Sequence, residues 1–379
     1  MTDSTISLLE ALVAIDSVNP SLVAGAAGER EVARRIAVEL IDAGLKVHVD
    51  DAAPGRPNVI GLLEGRSPGP ALMFCGHMDT VGVTGMRDPF RPVERDGRVY
   101  GRGAQDMKGG LAAMVAAAAT IAKDGLPRGR LLVAAVVDEE HASVGAEALV
   151  RQWRADAAVV TEPTGLDVAV AHKGFEWIEV ETIGRAAHGS RPRDGRDAIL
   201  RMGRVLGHLE SLDRRLQSQP AHPLLGTASL HASTIAGGQE LSSYPERCTL
   251  QVERRTLPGE PSGVGLAEIR GIVDRLREED AEFAADARLM FGRGGYEIAA
   301  AHPLPELLTR AAAAEGARPQ RVGMSFWSDA AILAAAGIPT VLFGPGGAGL
   351  HSTEEYVNVD DVRVCREALV RLAREFLGA

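Results

Sequence analysis

The chain has 379 residues, 45% of them hydrophobic and 24% charged, and this length predicts two or three domains. Its 41 Lys and Arg against 51 Asp and Glu give a net charge of −10, which argues against a general nucleic-acid binder. An aromatic content of only 4% argues against a surface on which bases stack.

Three further features concern localisation. No apolar run reaches the roughly 18 residues of a membrane-spanning helix, and Met1–Thr5 lack the basic and apolar regions of a secretory signal. Three widely spaced cysteines (Cys75, Cys248 and Cys365), with no C-x-x-C pair, argue against a disulfide framework and against a thiolate zinc site. We therefore expect a protein of the reducing cytoplasm.

The first 173 residues alternate helical and strand patterns, which is typical of a three-layer α/β domain. The spacing of apolar residues predicts helices at 4–16, 28–43, 109–123 and 144–153, and strands at 45–49, 58–63, 71–75, 131–137 and 157–160.

The pattern changes at residues 172–174. Strands are predicted at 175–183, 228–235, 248–254 and 281–290, and helices at 197–216 and 264–279. This order fits two helices on one side of a four-stranded sheet. After residue 295 the α/β pattern returns, with a helix at 305–315, a strand at 340–343 and a last helix from 359. The sequence thus predicts an α/β domain interrupted by an inserted α+β domain.

Acidic residues and histidines lie just beyond several of these strands. His77 and Asp79 follow strand 71–75 two residues apart, so on an extended segment they point the same way. A carboxylate so placed can orient an imidazole ligand of a metal ion. Asp106 lies in the glycine-rich stretch 101–110, which lacks the G-K-[ST] ending of a phosphate loop, and an anionic side chain there suits a cation. The alternatives are a capped loop for the first pair and a helix N-cap for Asp106.

Glu139 and Glu140 follow strand 131–137 in a run of three acids, which is costly to pack without a cation. Adjacent residues point to opposite sides of a strand, so one carboxylate could bind metal while its neighbour handles a proton; a solvated acidic loop is the alternative. Glu162 follows strand 157–160, and His351 lies in a glycine-rich loop after strand 340–343. In order, these five positions supply His, Asp, Glu, Glu and His, the ligand set for two zinc-like ions that share one carboxylate.

With these motifs, from Ser17-Val-Asn-Pro20 to His351-Ser-Thr-Glu-Glu-Tyr-Val357, the chain resembles the dinuclear zinc aminoacylase and carboxypeptidase family. The resemblance implies a three-layer α/β/α metallopeptidase catalytic domain (1–173 and 293–379) with an inserted, ferredoxin-like lid and dimerisation domain (174–292). It implies two divalent ions, Zn²⁺ first and Co²⁺ or Mn²⁺ as substitutes, with Asp106 bridging.

The resemblance also implies a role for each site residue. His77, Asp106 and Glu162 would hold one metal ion, and Asp106, Glu140 and His351 the other. Asp79 would orient His77, and Glu139 would act as the general base that takes a proton from the attacking water. A cis peptide bond between Asp106 and Met107 is implied as well.

In the inserted domain, Arg185-Ala-Ala-His188-Gly-Ser190 resembles a motif whose histidine stabilises the oxyanion, often across a dimer interface. Arg255 lies where related enzymes hold a substrate carboxylate, with a surface salt bridge as the alternative. Ser242 stands three residues before Pro245, where relatives have Asn, so a shorter hydroxyl replaces a substrate-positioning amide. Gly346 is the third candidate substrate-binding residue.

The expected function is hydrolysis of an amide bond in an N-acyl amino acid or small peptide with a free carboxylate, by a homodimer. An aminopeptidase of the same fold would instead need a carboxylate partner for the substrate's ammonium group. A non-catalytic amino-acid-binding homologue would have lost some of the ligand set. Phosphoesterase chemistry at a two-metal site is a further alternative, although the motifs do not resemble it.

Overall fold

The computed structural model describes residues 3–378 and divides the chain into two compact units. The first unit comprises the chain up to Val170, Ile298–Val322 and the chain from Ser328 onward, and the second comprises Ala171–Glu297 and Gly323–Trp327. These divisions lie near those expected at 173/174 and 292/293. No sequence pattern had separated residues 323–327 from the α/β domain.

The elements are numbered in chain order. The helices are α1 (Ser4–Val13), α2 (Arg30–Asp42), α3 (Gly109–Asp124), α4 (Val144–Gln152), α5 (Ala198–Gln217), α6 (Val264–Glu279), α7 (Leu304–Ala314), α8 (Ala330–Ala335) and α9 (Val359–Leu377). The strands are β1 (Lys46–Ala53), β2 (Arg56–Glu64), β3 (Ala71–His77), β4 (Val93–Arg95), β5 (Arg98–Tyr100), β6 (Arg130–Val136), β7 (Ala157–Val160), β8 (Val168–His172), β9 (Gly174–Ile183), β10 (Ser229–Gly237), β11 (Arg247–Thr256), β12 (Ala284–Arg293), β13 (Tyr296–Glu297), β14 (Arg321–Met324), β15 (Thr340–Leu342), β16 (Gly347–Ala348) and β17 (Tyr356–Asn358).

The first unit is built on a mixed sheet in which the strands run in the order β1-β2-β6-β3-β7-β15-β8. Strands β6, β3, β7 and β15 are mutually parallel, and β1, β2 and β8 pair antiparallel to their neighbours. Every residue of β3 and β7 is buried, as expected for continuous apolar runs covered on both faces. The carboxyl ends of the four parallel strands meet at one edge, where α/β proteins place their sites.

A second, small sheet in this unit has the order β16-β17-β5-β4. Tyr356 pairs with Tyr100 and Val357 with Val99, so the chain leaving β5 starts beside the chain entering β17. The glycine-rich stretch after β5 and the histidine loop before β17 are thereby brought together.

The second unit is an antiparallel four-stranded sheet with the order β10-β11-β9-β12. Alternate residues of its strands, such as Val180 and Leu250, pack with the apolar faces of α5 and α6 in one core. Both helices therefore cover the same face of the sheet, as the sequence predicts. Strand β10 lies at an edge.

None of the helices within residues 3–378 has the length and apolar character needed to cross a membrane.

Candidate metal centre

The five predicted ligand positions converge at the carboxyl edge of the central sheet. His77 is the last residue of β3, Glu140 follows β6 and Glu162 follows β7. His351 lies in the loop between β16 and β17, and Asp106 lies in an irregular turn, residues 104–108, directly before α3. The peptide bond between Asp106 and Met107 is cis, as the resemblance implied.

The two carboxylate oxygens of Asp106 face different partners. Its Oδ1 lies 3.0 Å from Nε2 of His77, and its Oδ2 lies 3.4 Å from Nε2 of His351. Nε2 of His351 is also 3.1 Å from Oε2 of Glu140, and Nε2 of His77 is 4.0 Å from Oε1 of Glu162. Asp106 therefore stands between a pair formed by His77 and Glu162 and a pair formed by His351 and Glu140, the arrangement expected of a bridging ligand.

These spacings fit metal coordination. Donor atoms about 2.0–2.2 Å from one tetrahedral ion lie about 3.4 Å from one another. Ligand atoms of His77, Glu139 and Glu162 lie within 4.8 Å of one another, and so do those of His77, Asp106 and Glu140. Oε1 of Glu140 is buried and has no hydrogen-bond partner among the described residues. A buried carboxylate oxygen without such a partner, in a carboxylate whose other oxygen lies 3.1 Å from His351, is well suited to a cation.

The charges of the histidines and of Asp106 depend on one another. Burial alone would lower the pKa of His77, but its hydrogen bond to Asp106 and the nearby carboxylates raise that pKa well above its ordinary value. Hydrogen bonds to Asp106 and Glu140 raise the pKa of His351 to about 10. Burial opposes ionisation of Asp106, yet its bonds to both histidines lower its pKa. Without a metal ion, these contacts favour the charged forms of both imidazoles and of Asp106.

For the three glutamates, burial outweighs the attraction of the histidines. Burial, together with the negative charge of neighbouring carboxylates, raises the pKa of Glu139 well above its ordinary value and raises that of Glu162 to about 8. Burial and the charge of Asp106 likewise raise the pKa of Glu140. Divalent cations would offset this crowding of negative charge, so the donor set fits two of them better than it fits none.

Asp79 lies next to His77, but its carboxylate mainly holds the glutamate loop. Nδ1 of His77 is 3.0 Å from the backbone carbonyl oxygen of Asp79 and 3.7 Å from its carboxylate. The carboxylate accepts hydrogen bonds from the backbone N–H groups of Glu139 and Glu140, both at 3.1 Å, and from the Asn19 amide at 2.8 Å. The backbone of Asp79 thus contacts the histidine while its side chain fixes the two glutamates.

A buried network of hydrogen bonds and ion pairs, which the sequence did not reveal, also supports the loop that carries Glu139 and Glu140. Asp138 adopts a left-handed backbone conformation (φ 71°), and its carboxylate accepts hydrogen bonds from Asn19 at 3.1 Å and from Arg56 at 2.6 Å. Arg56 also pairs with the buried carboxylate of Glu29. Glu29 and Arg56 gave no signal because neither lies near a motif; Asn19 lay inside the quoted motif Ser17–Pro20 without an assigned role.

In the second unit, the structure brings His188 and Ser242 together. Nδ1 of His188 lies 2.8 Å from the Ser190 hydroxyl, and the backbone N–H of Gly189 donates to the carbonyl of Ser242 at 2.7 Å. Both side chains are exposed. His188 is therefore available to a ligand, as its expected role requires.

Arg255 lies at the other end of the same unit's sheet from Ser242. Its Nε is 2.5 Å from Oε1 of Glu253, whose other oxygen accepts a hydrogen bond from the Trp177 indole at 2.9 Å. Its guanidinium stands over the Phe175 ring, 5.7 Å from the centroid. A substrate carboxylate that bound Arg255 would compete with Glu253.

Gly346, the remaining candidate for substrate binding, is buried in the first unit. Its N–H donates to Asp361 at 3.1 Å, and its carbonyl accepts from the N–H of Asn358 at 2.9 Å. Both of its backbone polar groups are thus already engaged by β17 and α9.

Comparisons with known proteins identify the family and the fold. The model of peptidase family M20/M25/M40 matches residues 73–375. An acetylornithine deacetylase from Myxococcus xanthus is 33% identical over 339 residues, which cover 87% of this chain and 87% of that protein.

Solved structures share the fold. The aminopeptidase PepT from Bacillus cereus ATCC 10987 aligns with a TM-score of 0.82 and 23% identity, over 99% of this chain and 98% of that one. The Bacillus subtilis YXEP protein, described as a dinuclear metal binding peptidase from the M20 family, aligns with a TM-score of 0.76 and 16% identity, over 99% and 98% of the two chains. At these identities the likeness supports the architecture alone.

Proposed function

The chain belongs to peptidase family M20/M25/M40, a family of hydrolases that act on amide bonds, and from this premise we propose that it hydrolyses an N-acyl amino acid or small peptide with a free carboxylate. The observation that carries the proposal is the position of Asp106, whose two carboxylate oxygens face separate pairs of ligand groups. Similarity to a protein named acetylornithine deacetylase favours the N-acyl amino acid.

We propose two metal ions, held by His77, Asp106 and Glu162 and by Asp106, Glu140 and His351. Imidazole and carboxylate donors suit Zn²⁺, and Co²⁺ or Mn²⁺ can occupy the same kind of site. When bound, such a metal pair supplies Lewis acidity that polarises the scissile carbonyl and makes water a better nucleophile.

The protein's own groups then move the proton and stabilise the developing charge. Glu139 lies beside the ligand set without being needed as a ligand, so in this proposal it takes the proton from the attacking water and gives it to the leaving amine. His188 donates a hydrogen bond to the oxyanion. Arg255 binds the substrate carboxylate, and the Ser242 hydroxyl contacts the substrate where related enzymes use an amide.

We propose that the active form is a homodimer assembled through the second unit. Ser242 precedes β11 and Arg255 lies near its end, and the eight-residue step from Arg247 to Arg255 alone spans about 26 Å of strand. One copy of this unit cannot present both residues to one small substrate, so in this proposal the second copy supplies one of them. The edge strand β10 and the exposed Leu200, at 71% of its full exposure, offer a surface for the second copy.

We propose the cytoplasm as the working compartment. The three cysteines are buried free thiols, which suits a reducing environment.

The proposed function can be tested on metal-stripped protein with a panel of N-acetyl, N-succinyl and N-formyl amino acids and dipeptides, with and without added Zn²⁺ or Co²⁺. We expect metal-dependent release of a free amino acid and two ions bound per chain. The variant Glu139→Gln should still bind two ions but lose roughly 10²–10⁴-fold in kcat, the usual contribution of a general base.

Other outcomes would point elsewhere. Cleavage restricted to peptides with a free amine would indicate the aminopeptidase. An inactive protein that binds no metal would support the non-catalytic binding protein. Near-normal kcat in Glu139→Gln would refute the general-base assignment even if the substrate class were right.

A further inference from the structure

The carboxylate of Glu355 is a buried group for which the proposed function has no use. Only 1% of this residue is exposed. Its Oε1 accepts hydrogen bonds from the backbone N–H groups of Gln105 at 2.9 Å and Asp106 at 3.1 Å. Its Oε2 accepts from the N–H of Gly103 at 3.0 Å and from Nη1 of Arg102 at 2.6 Å. All four donors belong to the stretch that ends in the bridging aspartate.

This stretch needs outside acceptors because only one of its own amides, that of Ala104, finds an acceptor within it, the carbonyl oxygen of Gly101. Gly101 and Gly103 have φ of 148° and 78°, and Asp106 has extended dihedral angles, so residues 101–106 form neither a regular helix nor a strand. Buried N–H groups without acceptors would destabilise this conformation. Glu355 supplies acceptors for three of them with one side chain.

The ion pair of Arg102 and Glu355 also contacts the loop that carries His351. Nη2 of Arg102, a residue that is 3% exposed, donates to the carbonyl oxygen of Ser352 at 2.9 Å, one residue beyond His351. The backbone N–H of Gly101 donates to the carbonyl of Glu355 at 3.1 Å, which continues the β5–β17 pairing. The loops of Asp106 and His351 are therefore fastened to each other at both the side chains and the backbone.

We infer that Glu355, assisted by Arg102, is a positioning residue that sets the distance between Asp106 and His351 before any metal ion arrives. The inference rests on the proposed metal centre. Because His77 and Glu162 lie at the ends of buried strands, the ion held by Asp106, Glu140 and His351 depends on this fastening more than the other ion does. Partners that orient metal ligands typically change metal affinity 10–100-fold when removed.

The variant Glu355→Gln tests this directly. Each carboxylate oxygen of Glu355 accepts from two donors, so whichever way the glutamine amide turns, its NH₂ group faces two N–H groups. The side chain keeps its size while the hydrogen bonds on one side become repulsive. Arg102→Lys is the second variant, because a lysine keeps the charge but cannot bond Glu355 and Ser352 in the same planar fork.

Glu176→Gln provides a matched control. Glu176 is also buried (4% exposed) and accepts hydrogen bonds from the N–H groups of Gly263 at 2.7 Å and Leu266 at 3.1 Å, but it belongs to the second unit. This variant reports what the loss of carboxylate–amide bonds does to stability alone.

The measurement is stepwise titration of each metal-free protein with Co²⁺ or Zn²⁺, combined with hydrogen exchange of the metal-free state. In Glu355→Gln we expect one of the two metal dissociation constants to rise 10–100-fold, with faster exchange in residues 101–106 and 351–355. The variant His351→Ala lacks a ligand of the ion proposed for Asp106, Glu140 and His351. When Glu355→Gln is added to it, the dissociation constant of the other ion should change by less than about threefold. Glu176→Gln should leave both constants unchanged.

Two results would overturn the inference: unchanged metal constants in Glu355→Gln, or equal losses in Glu355→Gln and Glu176→Gln, which would indicate global destabilisation. If Glu355→Gln does not fold, Arg102→Lys decides by the same criteria. A wild type that binds no metal would refute the proposed function and this inference with it. A wild type that binds two ions while both variants match it would refute this inference alone.

Discussion

Gly110, in the first turn of α3, packs against the backbone that leads to Glu162. A Cβ atom at Gly110 would lie 2.0 Å from the carbonyl oxygen of Thr161 and 2.9 Å from its hydroxyl. Thr161 has no room to move away. Its N–H donates to the carbonyl oxygen of Cys75 in β3 at 2.9 Å. On the other side Gly344 packs closely against it, since a Cβ atom on Gly344 would lie only 2.5 Å from the carbonyl oxygen of Thr161. The substitution Gly110→Ala therefore forces the Thr161–Glu162 backbone to move.

The size of the effect follows from that distance. Real Cβ atoms essentially never come closer than 3.0 Å to such a neighbour, so the two backbones must separate by about 1 Å. Overpacking of this kind costs roughly 3 kcal/mol at the upper end of its usual range. Alanine returns at most about 1 kcal/mol through its helix propensity. We expect a net loss of about 2 kcal/mol in the free energy of unfolding.

Gly203→Ala is the matched control, because Gly203 lies on the exposed side of α5 and a Cβ there would meet nothing within 4 Å. This variant should gain about 0.5–1 kcal/mol in stability. Urea unfolding of the metal-free proteins measures the change in the free energy of unfolding for both variants. Metal titration shows whether the displacement of Glu162 in Gly110→Ala lowers the metal affinity. A Gly110→Ala protein as stable as the wild type, with unchanged metal affinity, would refute the packing argument.

Two further predictions concern the second unit. Leu200→Glu should convert the proposed dimer to a monomer by sedimentation analysis, whereas Met290→Glu on the opposite edge strand β12 should not; a monomeric wild type would contradict the proposed assembly. Burial lowers the pKa of His172 to about 4, so between pH 6.5 and 4 the unfolded chain binds a proton that the folded chain does not, and stability falls as the pH falls. Between pH 7.5 and 5 the free energy of unfolding should fall by about 2 kcal/mol for this reason, and His172→Asn should lack that part of the fall. Urea unfolding of the metal-free wild type and variant measures the difference. An identical pH dependence in the two proteins would show that His172 does not titrate in this range.

Sequence patterns predicted most of the buried elements because burial leaves a strong periodic signal, but they missed β8 (Val168–His172), all of whose residues are buried. Strand 157–160 coincides with β7, and helix 264–279 coincides with α6. Strands β4, β5, β16 and β17 were missed, since they have two or three residues each and form only through pairing across distant parts of the chain. Local propensity says little about such pairs.

The same limit applies to the site. A sequence shows which residues can bind metal, and the order His77, Asp106, Glu140, Glu162, His351 was informative for that reason. It does not distinguish Glu354 from Glu355, two adjacent acids of which the first is exposed and the second is 1% exposed. Only the pairing of β5 with β17 shows which of them meets the Asp106 stretch. Glu355 was missed because most of its partners are backbone amides, which leave no mark in a sequence.

Two kinds of support therefore hold the proposed ligands in place. His77 and Glu162 are fixed at the ends of buried parallel strands, whereas the loops of Glu140 and Asp106 are fixed by carboxylates, Asp79 and Glu355, that accept backbone N–H groups. Damage to each kind of support should accordingly affect a different ion.

Gly110→Ala, which displaces Glu162, should weaken the ion shared by His77, Asp106 and Glu162. Glu355→Gln should weaken the ion shared by Asp106, Glu140 and His351. If the two supports are independent, the losses in metal-binding free energy should add in the double variant, as expected for separate sites. Strong non-additivity would instead show that Asp106 couples the two ions so tightly that the cage behaves as one unit.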